Sequence, residues 1–109
     1  MDCDEGEMWV DYIDFVKKYH HTNRKISAVI RVVDSRYTPI IMAQVRATII
    51  DPEGNLQSLS KMTNHQGMAV FEFSRSYRGR WEIVIDEISH PCYKYDTVNS
   101  LALNRFTNL

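Results

Sequence analysis

Thr63-Asn64-His65-Gln66-Gly67-Met68-Ala69-Val70-Phe71-Glu72-Phe73 decides how the rest of the chain is read. Gly67 supplies the permissive backbone that a tight turn needs. After it, Ala69, Phe71 and Phe73 point one way, and Met68, Val70 and Glu72 point the other. A period of two is the mark of a strand packed on one face. The stretch is therefore a turn that drops straight into a strand, and the segments on both sides repeat the pattern.

Upstream, Ala43, Val45, Ala47 and Ile49 alternate with Gln44, Arg46 and Thr48. Asp51-Pro52-Glu53-Gly54-Asn55 is tight-turn chemistry, and Leu56 to Met62 follows as a short strand at a sheet edge. Lys25 to Val33 is a strand with Ile26, Ala28, Ile30 and Val32 inward and Val29 and Val33 partly covered. Asp34 to Pro39 is a turn, because Asp and Ser bond their own backbone and Pro cannot join a ladder. Met8 to Phe15 fits either period. As a helix, Trp9, Tyr12, Ile13, Val16 and Tyr19 share a face. As a strand, Met8, Val10 and Tyr12 alternate with Trp9, Asp11 and Ile13. Its β-branched and aromatic content favours the strand. Lys17 to Asn23 is polar, with two adjacent histidines, and is expected to be a loop.

Downstream, Ser74 to Arg80 is a polar connection. Trp81 to Ile88 is a strand with Trp81, Ile83, Ile85 and Ile88 inward and Glu82, Asp86 and Glu87 outward. Cys92 to Asp96 is a last short strand after the His90-Pro91 break. The expected organisation is an acidic flexible lead over 1–7, one β domain over 8–99, and a tail or linker over 100–109. About seven short strands with turn signals between them predict an all-β fold, an antiparallel β-sandwich, since two sheets laid face to face bury their apolar faces together.

A chain of 109 residues is one domain, able to bury a core without metal or disulfides. Its net charge of −1 gives no electrostatic case for nucleic acid or an anionic membrane. The charge is uneven: Asp2, Asp4, Glu5, Glu7, Asp11 and Asp14 precede the first basic residue, and Lys17, Lys18, Arg24, Lys25 and Arg31 follow. The acidic lead is a solvated segment or a calcium site. No apolar run is long enough to span a bilayer, and the N-terminus lacks signal-peptide grammar. Cys3 and Cys92 permit one disulfide without implying it, and their spacing matches no zinc motif.

Catalytic signals are weak. His20, His21, His65 and His90 have no HExxH-like spacing, and Ser74 and Ser76 have no Gly-x-Ser-x-Gly context. Cys92 and His90 are placed for a thiolate–imidazole pair only if the intervening Pro91 allows it. The outward carboxylates Glu82, Asp86 and Glu87 would need a cleft to act as a glycosidase pair. No cofactor is implied. Aromatics carry more: Phe71, Phe73 and Trp81 are core candidates, and Tyr93 and Tyr95 share a face expected to pack on it. Trp9, Tyr37 and Tyr77 are the candidate binding residues, because exposed flat rings stack on sugars or anchor interfaces.

The order of these elements resembles the bacterial immunoglobulin-like (fibronectin type III-like) accessory domains of secreted hydrolases and cell-surface proteins. The residues that carry it are Met8, Val10, Ile13 and Asp14, then Asp34, Pro39, Ala43 and Val45, then Thr63, Gly67, Ala69 and Phe71. Trp81, Ile83 and Ile85 follow, and then His90, Tyr93, Tyr95, Asp96 and Asn99. The cysteines that some members pair across facing strands are absent, and the 17–23 segment is basic rather than Gly- and Ser-rich. The resemblance implies an immunoglobulin-like sandwich serving as a non-catalytic, secreted or cell-surface module that spaces, stabilises or targets a partner domain. An adjacent domain, another protein or a polysaccharide is the expected partner.

Overall fold

The computed structural model describes residues 6–20, 23–73, 78–98, 100 and 103–108. Eight strands lie among them: β1 Gly6–His20, β2 Asn23–Asp34, β3 Gln44–Ile50, β4 Leu56–Met62, β5 Met68–Phe73, β6 Arg80–Ser89, β7 Tyr93–Tyr95 and β8 Asn104–Asn108. They form two four-stranded sheets, ordered β5-β2-β1-β7 and β4-β3-β6-β8. All pairings are antiparallel except β1 with β7. The fold is a β-sandwich.

The inner faces are those the alternation predicts. Ile26, Ala28, Ile30 and Val32 of β2, Val45, Ala47 and Ile49 of β3, and Ala69, Phe71 and Phe73 of β5 are buried with Trp81, Ile83, Ile85 and Ile88 of β6. Phe73 stacks on Trp81 with ring centroids 5.7 Å apart, closing one end of the core. Tyr93 and Tyr95 pack against the same cluster. Val33 points outward yet is fully buried, because the 34–39 turn folds back over it and Pro39 pairs with it.

The organising turn is held as its residues predict. The Asn64 carboxamide oxygen accepts from the Gln66 and Met68 amides, and the Gly67 amide donates to the Asn64 carbonyl. Gly67 has a φ of 74° and lies against β2, its carbonyl accepting from the Val32 amide at 2.8 Å. The buried Thr63 hydroxyl donates to the Ile40 carbonyl at 2.7 Å and accepts from the Ala43 amide at 2.9 Å, tying the end of β4 to the entry of β3.

Four expectations are corrected. The 17–23 segment is not a loop: β1 runs on through His20, and Lys17, Lys18, Tyr19 and His20 pair with Ile26, Lys25, Arg24 and Asn23. At about 3.4 Å per residue the 15-residue β1 spans about 50 Å, the long dimension of the molecule, 50 Å. Its last residues run to the end of the core, so both faces meet water and need no apolar alternation. Second, strict alternation fails in β1. The register slips between Val10 and Tyr12. Met8, Val10 and Ile13 are therefore inward, and Tyr12 turns out to the surface with Trp9. A bulge inserts one residue and reverses the facing of everything after it. Third, the 100–109 segment, expected to be a tail or linker, contains a strand: its Asn104–Asn108 is β8, pairing with β6. Fourth, β1 begins at Gly6, so Gly6 and Glu7 of the 1–7 lead belong to the sheet.

Candidate functional site

Two of the three candidate binding residues come together. Trp9 leaves the outer face of β1 opposite Val33 of β2. Tyr37 is carried by the turn that follows β2. Asp34 builds that turn: its carboxylate accepts from the Arg36 and Thr38 amides, and its carbonyl accepts from the Tyr37 amide. The result holds Tyr37 at a φ of 60°, a conformation rare for an aromatic residue. The Tyr37 ring meets Trp9 edge to face, with centroids 6.5 Å apart and planes at 87°. Trp9 is half-buried, whereas Tyr37 is 56 % exposed. The pair forms an L-shaped aromatic corner. Tyr77 lies outside the described residues.

Beside this corner is a shallow depression of about 460 Å³ lined by Tyr12, Arg31, Pro39, His65, Gln66 and Met68. The β1 bulge brings Tyr12 there, and the organising turn supplies His65 and Gln66. The Arg31 guanidinium is held by Asp11 at 2.8 Å, both side chains being mostly buried. The surface thus offers flat rings beside a fixed charged pair, an imidazole and an amide. That mixture suits a ligand with an apolar face and several hydrogen-bonding groups. Only Trp9 and Tyr37 were legible as site residues in the sequence. Tyr12, Arg31 and His65 join through a bulge and cross-strand register, which leave no local signature.

Other candidate chemistry resolves differently. Cys92 is disulfide-bonded, so it is no thiolate nucleophile; Cys3, the other cysteine of the chain, lies outside the described residues. The His90 ring accepts from the Cys92 amide through Nδ1 at 3.0 Å and meets Tyr93 edge-on, so it shapes the bend before β7. The outward carboxylates of β6 are each engaged. Glu87 pairs with Arg46 at 2.9 Å, Asp86 accepts from the Thr48 hydroxyl, and Glu82 accepts from the Asn104 amide. Among the described residues no cluster of three His, Cys, Asp or Glu side chains could hold a metal ion. No helix among them is long and apolar enough to cross a membrane.

Two exposed carboxyls titrate away from their ordinary ranges. Glu7 is raised, chiefly by its hydrogen bond to the Asp96 side chain and the charge there. Asp51 is lowered, chiefly by the hydrogen bond from the Asn55 side chain. A raised pKa means that folded Glu7 holds its proton more tightly than the unfolded chain does. Its contribution to stability is present at low pH and is lost as pH rises through the raised midpoint. Asp51 contributes above the ordinary aspartate range and loses that contribution as pH falls through its depressed midpoint. Carboxyl ¹³C titrations are expected to find Glu7 above and Asp51 below the other exposed carboxylates. In Glu7→Gln, the part of the stability that declines with rising pH should vanish; an unchanged pH profile would refute the assignment.

No protein-family model, curated protein or solved structure matches this chain.

Proposed function

We propose that the chain is a non-catalytic, immunoglobulin-like accessory module of an exported protein, which presents the Trp9–Tyr37 corner to a partner domain or a polysaccharide. The observation that carries this reading is the convergence of Trp9 and Tyr37, from separate elements, on one outward corner. A half-buried ring and an exposed ring held at right angles do little for the core, but suit recognition. The strand order supports the immunoglobulin-like assignment. The first, second and fifth strands share one sheet, and the fourth, third and sixth share the other. The disulfide at Cys92 supports an oxidising compartment, hence secretion or a cell-surface location. The engaged state of Cys92, Glu82, Asp86 and Glu87 supports a non-catalytic role.

Carbohydrate binding is the second reading, favoured by the same corner and by the polar depression beside it. Pull-down on a panel of insoluble polysaccharides, with tryptophan emission read in parallel, separates the two. Binding to one polymer, weakened at least about tenfold in both Trp9→Ala and Tyr37→Ala while each variant still unfolds cooperatively, makes this a targeting module. The factor corresponds to about 1.4 kcal/mol, within the range of an aromatic contact residue. Absence of binding to every polymer removes the carbohydrate reading and leaves a protein partner. Binding unaffected by both substitutions removes the corner from either reading.

A further inference from the structure

β4 is the last strand of its sheet and pairs, among the described strands, with β3 alone. The two ends of the β3–β4 ladder fix which way its backbone groups point. The Asn55 carbonyl accepts from the Asp51 amide, and the Thr63 amide donates to the Ala43 carbonyl. The seven pairs between them run without a slip. Gln57, Leu59 and Lys61 therefore bond to β3, and alternation turns the N–H and C=O groups of Leu56, Ser58, Ser60 and Met62 to the open side. Among the described residues no other backbone group bonds to them there. Six of the seven β4 residues are exposed. Such an edge is a template for another strand unless charge, proline or a bulge protects it. β4 has one charge, Lys61, with no proline and no bulge.

The pattern of β4 is the same in both directions. Leu56-Gln57-Ser58-Leu59-Ser60-Lys61-Met62 runs apolar, long polar, serine, leucine, serine, long polar, apolar about Leu59. An antiparallel second copy centred there sets Leu56 opposite Met62, Gln57 opposite Lys61, Ser58 opposite Ser60 and Leu59 opposite itself. Outward groups then meet outward groups, so the Leu56–Met62 and Ser58–Ser60 pairs exchange main-chain bonds on both sides of the centre. Centring on Ser58 or Ser60 instead would set Leu59 against Gln57 or Lys61, and centring on Lys61 would oppose two like charges. Leu59 lies opposite buried Ala47 and packs partly on the core, so its copy meets it on the inner side of the sheet. On the outer side Met62 borders a depression of about 560 Å³ that Met42 and Pro91 also line. Met62 and Met42 are 56 % and 64 % exposed there, and Leu56 is 69 % exposed at the far end of β4. The register brings Leu56 of the second copy beside Met62, at the rim of this depression.

We propose that β4 is a self-association edge: two copies of the chain pair antiparallel about a two-fold axis at Leu59, joining their four-stranded sheets into one of eight strands. Main-chain bonds supply the pairing, and the matched side chains set the register. A second copy is favoured over a foreign strand because β4 itself carries the pattern that meets each of its positions in kind. A two-fold contact closes on itself, so assembly stops at the dimer. The edge belongs to the sheet that does not carry Trp9, and the proposal stands whatever the Trp9–Tyr37 corner binds.

The test is sedimentation equilibrium of the chain at rising concentration, up to about 1 mM. A monomer–dimer equilibrium with nothing larger is expected. Leu56→Lys combined with Met62→Lys sets like charges opposite each other in both outer pairs and should leave a monomer, as should Leu56→Glu combined with Met62→Glu. Both positions are exposed, and cooperative unfolding checks that each variant folds. Mixed in equal amounts, the two variants should recover a dimer, because in this register every lysine meets a glutamate. Under mild oxidation Leu59→Cys should cross-link into a covalent dimer, since facing Cα atoms of a non-hydrogen-bonded pair stand about 4.5 Å apart, within disulfide reach. Gln57→Cys, offset from its own copy, should not. A chain that stays monomeric up to that concentration overturns the proposal and leaves the edge to a strand of another protein. Growth beyond the dimer, a dimer that survives either double substitution, or mixed variants that fail to associate overturn it too. So does cross-linking through Gln57→Cys in place of Leu59→Cys.

Discussion

Replacing Gly67 by alanine is expected to lower stability by about 3 kcal/mol, roughly 15 °C in the unfolding midpoint of a domain this size. Two costs combine. Gly67 sits at a φ of 74°, where a side chain is strained. A Cβ there would also stand 2.7 Å from the Val32 carbonyl oxygen and 2.9 Å from the Pro39 side chain. The first obstacle is backbone near the end of β2, at a fully buried residue, and cannot swing aside. Relief requires β5 to lift from β2, which pulls on the Val32 amide bond to the Gly67 carbonyl. Gly54 is the control, with a φ of 86° and nothing within 4 Å of the place a Cβ would occupy. Gly54→Ala should therefore cost only the backbone term, about 1 kcal/mol. Chemical denaturation of both variants measures the difference. Equal losses would mean that the close approach to Val32 contributes nothing.

Thr63→Val is expected to cost about 2–3 kcal/mol, although it exchanges side chains of nearly the same shape. Thr63 is 4 % exposed, the one buried polar side chain among the described residues. Its hydroxyl serves the Ala43 amide and the Ile40 carbonyl together. Valine would leave both backbone groups enclosed without that partner, and an unsatisfied buried group costs about 1–3 kcal/mol. The same crossing holds Met42 at a φ of 59° through its amide bond to the Thr63 carbonyl. Thr63→Ser keeps the hydroxyl and loses a methyl group, so its loss should stay near 1 kcal/mol. Should serine prove as damaging as valine, the hydroxyl is not what secures this crossing.

These two positions lie in the stretch from Thr63 to Phe73, and both effects require contacts with β2 and the entry of β3. The turn at Asn64–Gly67 and the facing of Phe71 were legible because they depend on neighbours along the chain: a carboxamide that bonds its own backbone, a glycine free of Cβ, an alternation of apolar residues. The corner at Trp9 was half legible. Two exposed aromatics could be named, but nothing local says that the Asp34 turn swings Tyr37 onto Trp9.

The sequence by itself determined the strands that carry a buried face, the turns between them and the two-sheet architecture. Periodicity and turn chemistry are short-range, and apolar faces must be covered. Tertiary structure alone decided the bulge that sends Tyr12 outward and Ile13 inward, because register is set by the partner strand. It also decided that Lys17 to His20 is strand. A segment with water on both faces has no hydrophobic alternation to declare it, and its extended form comes from pairing with Asn23 to Ile26.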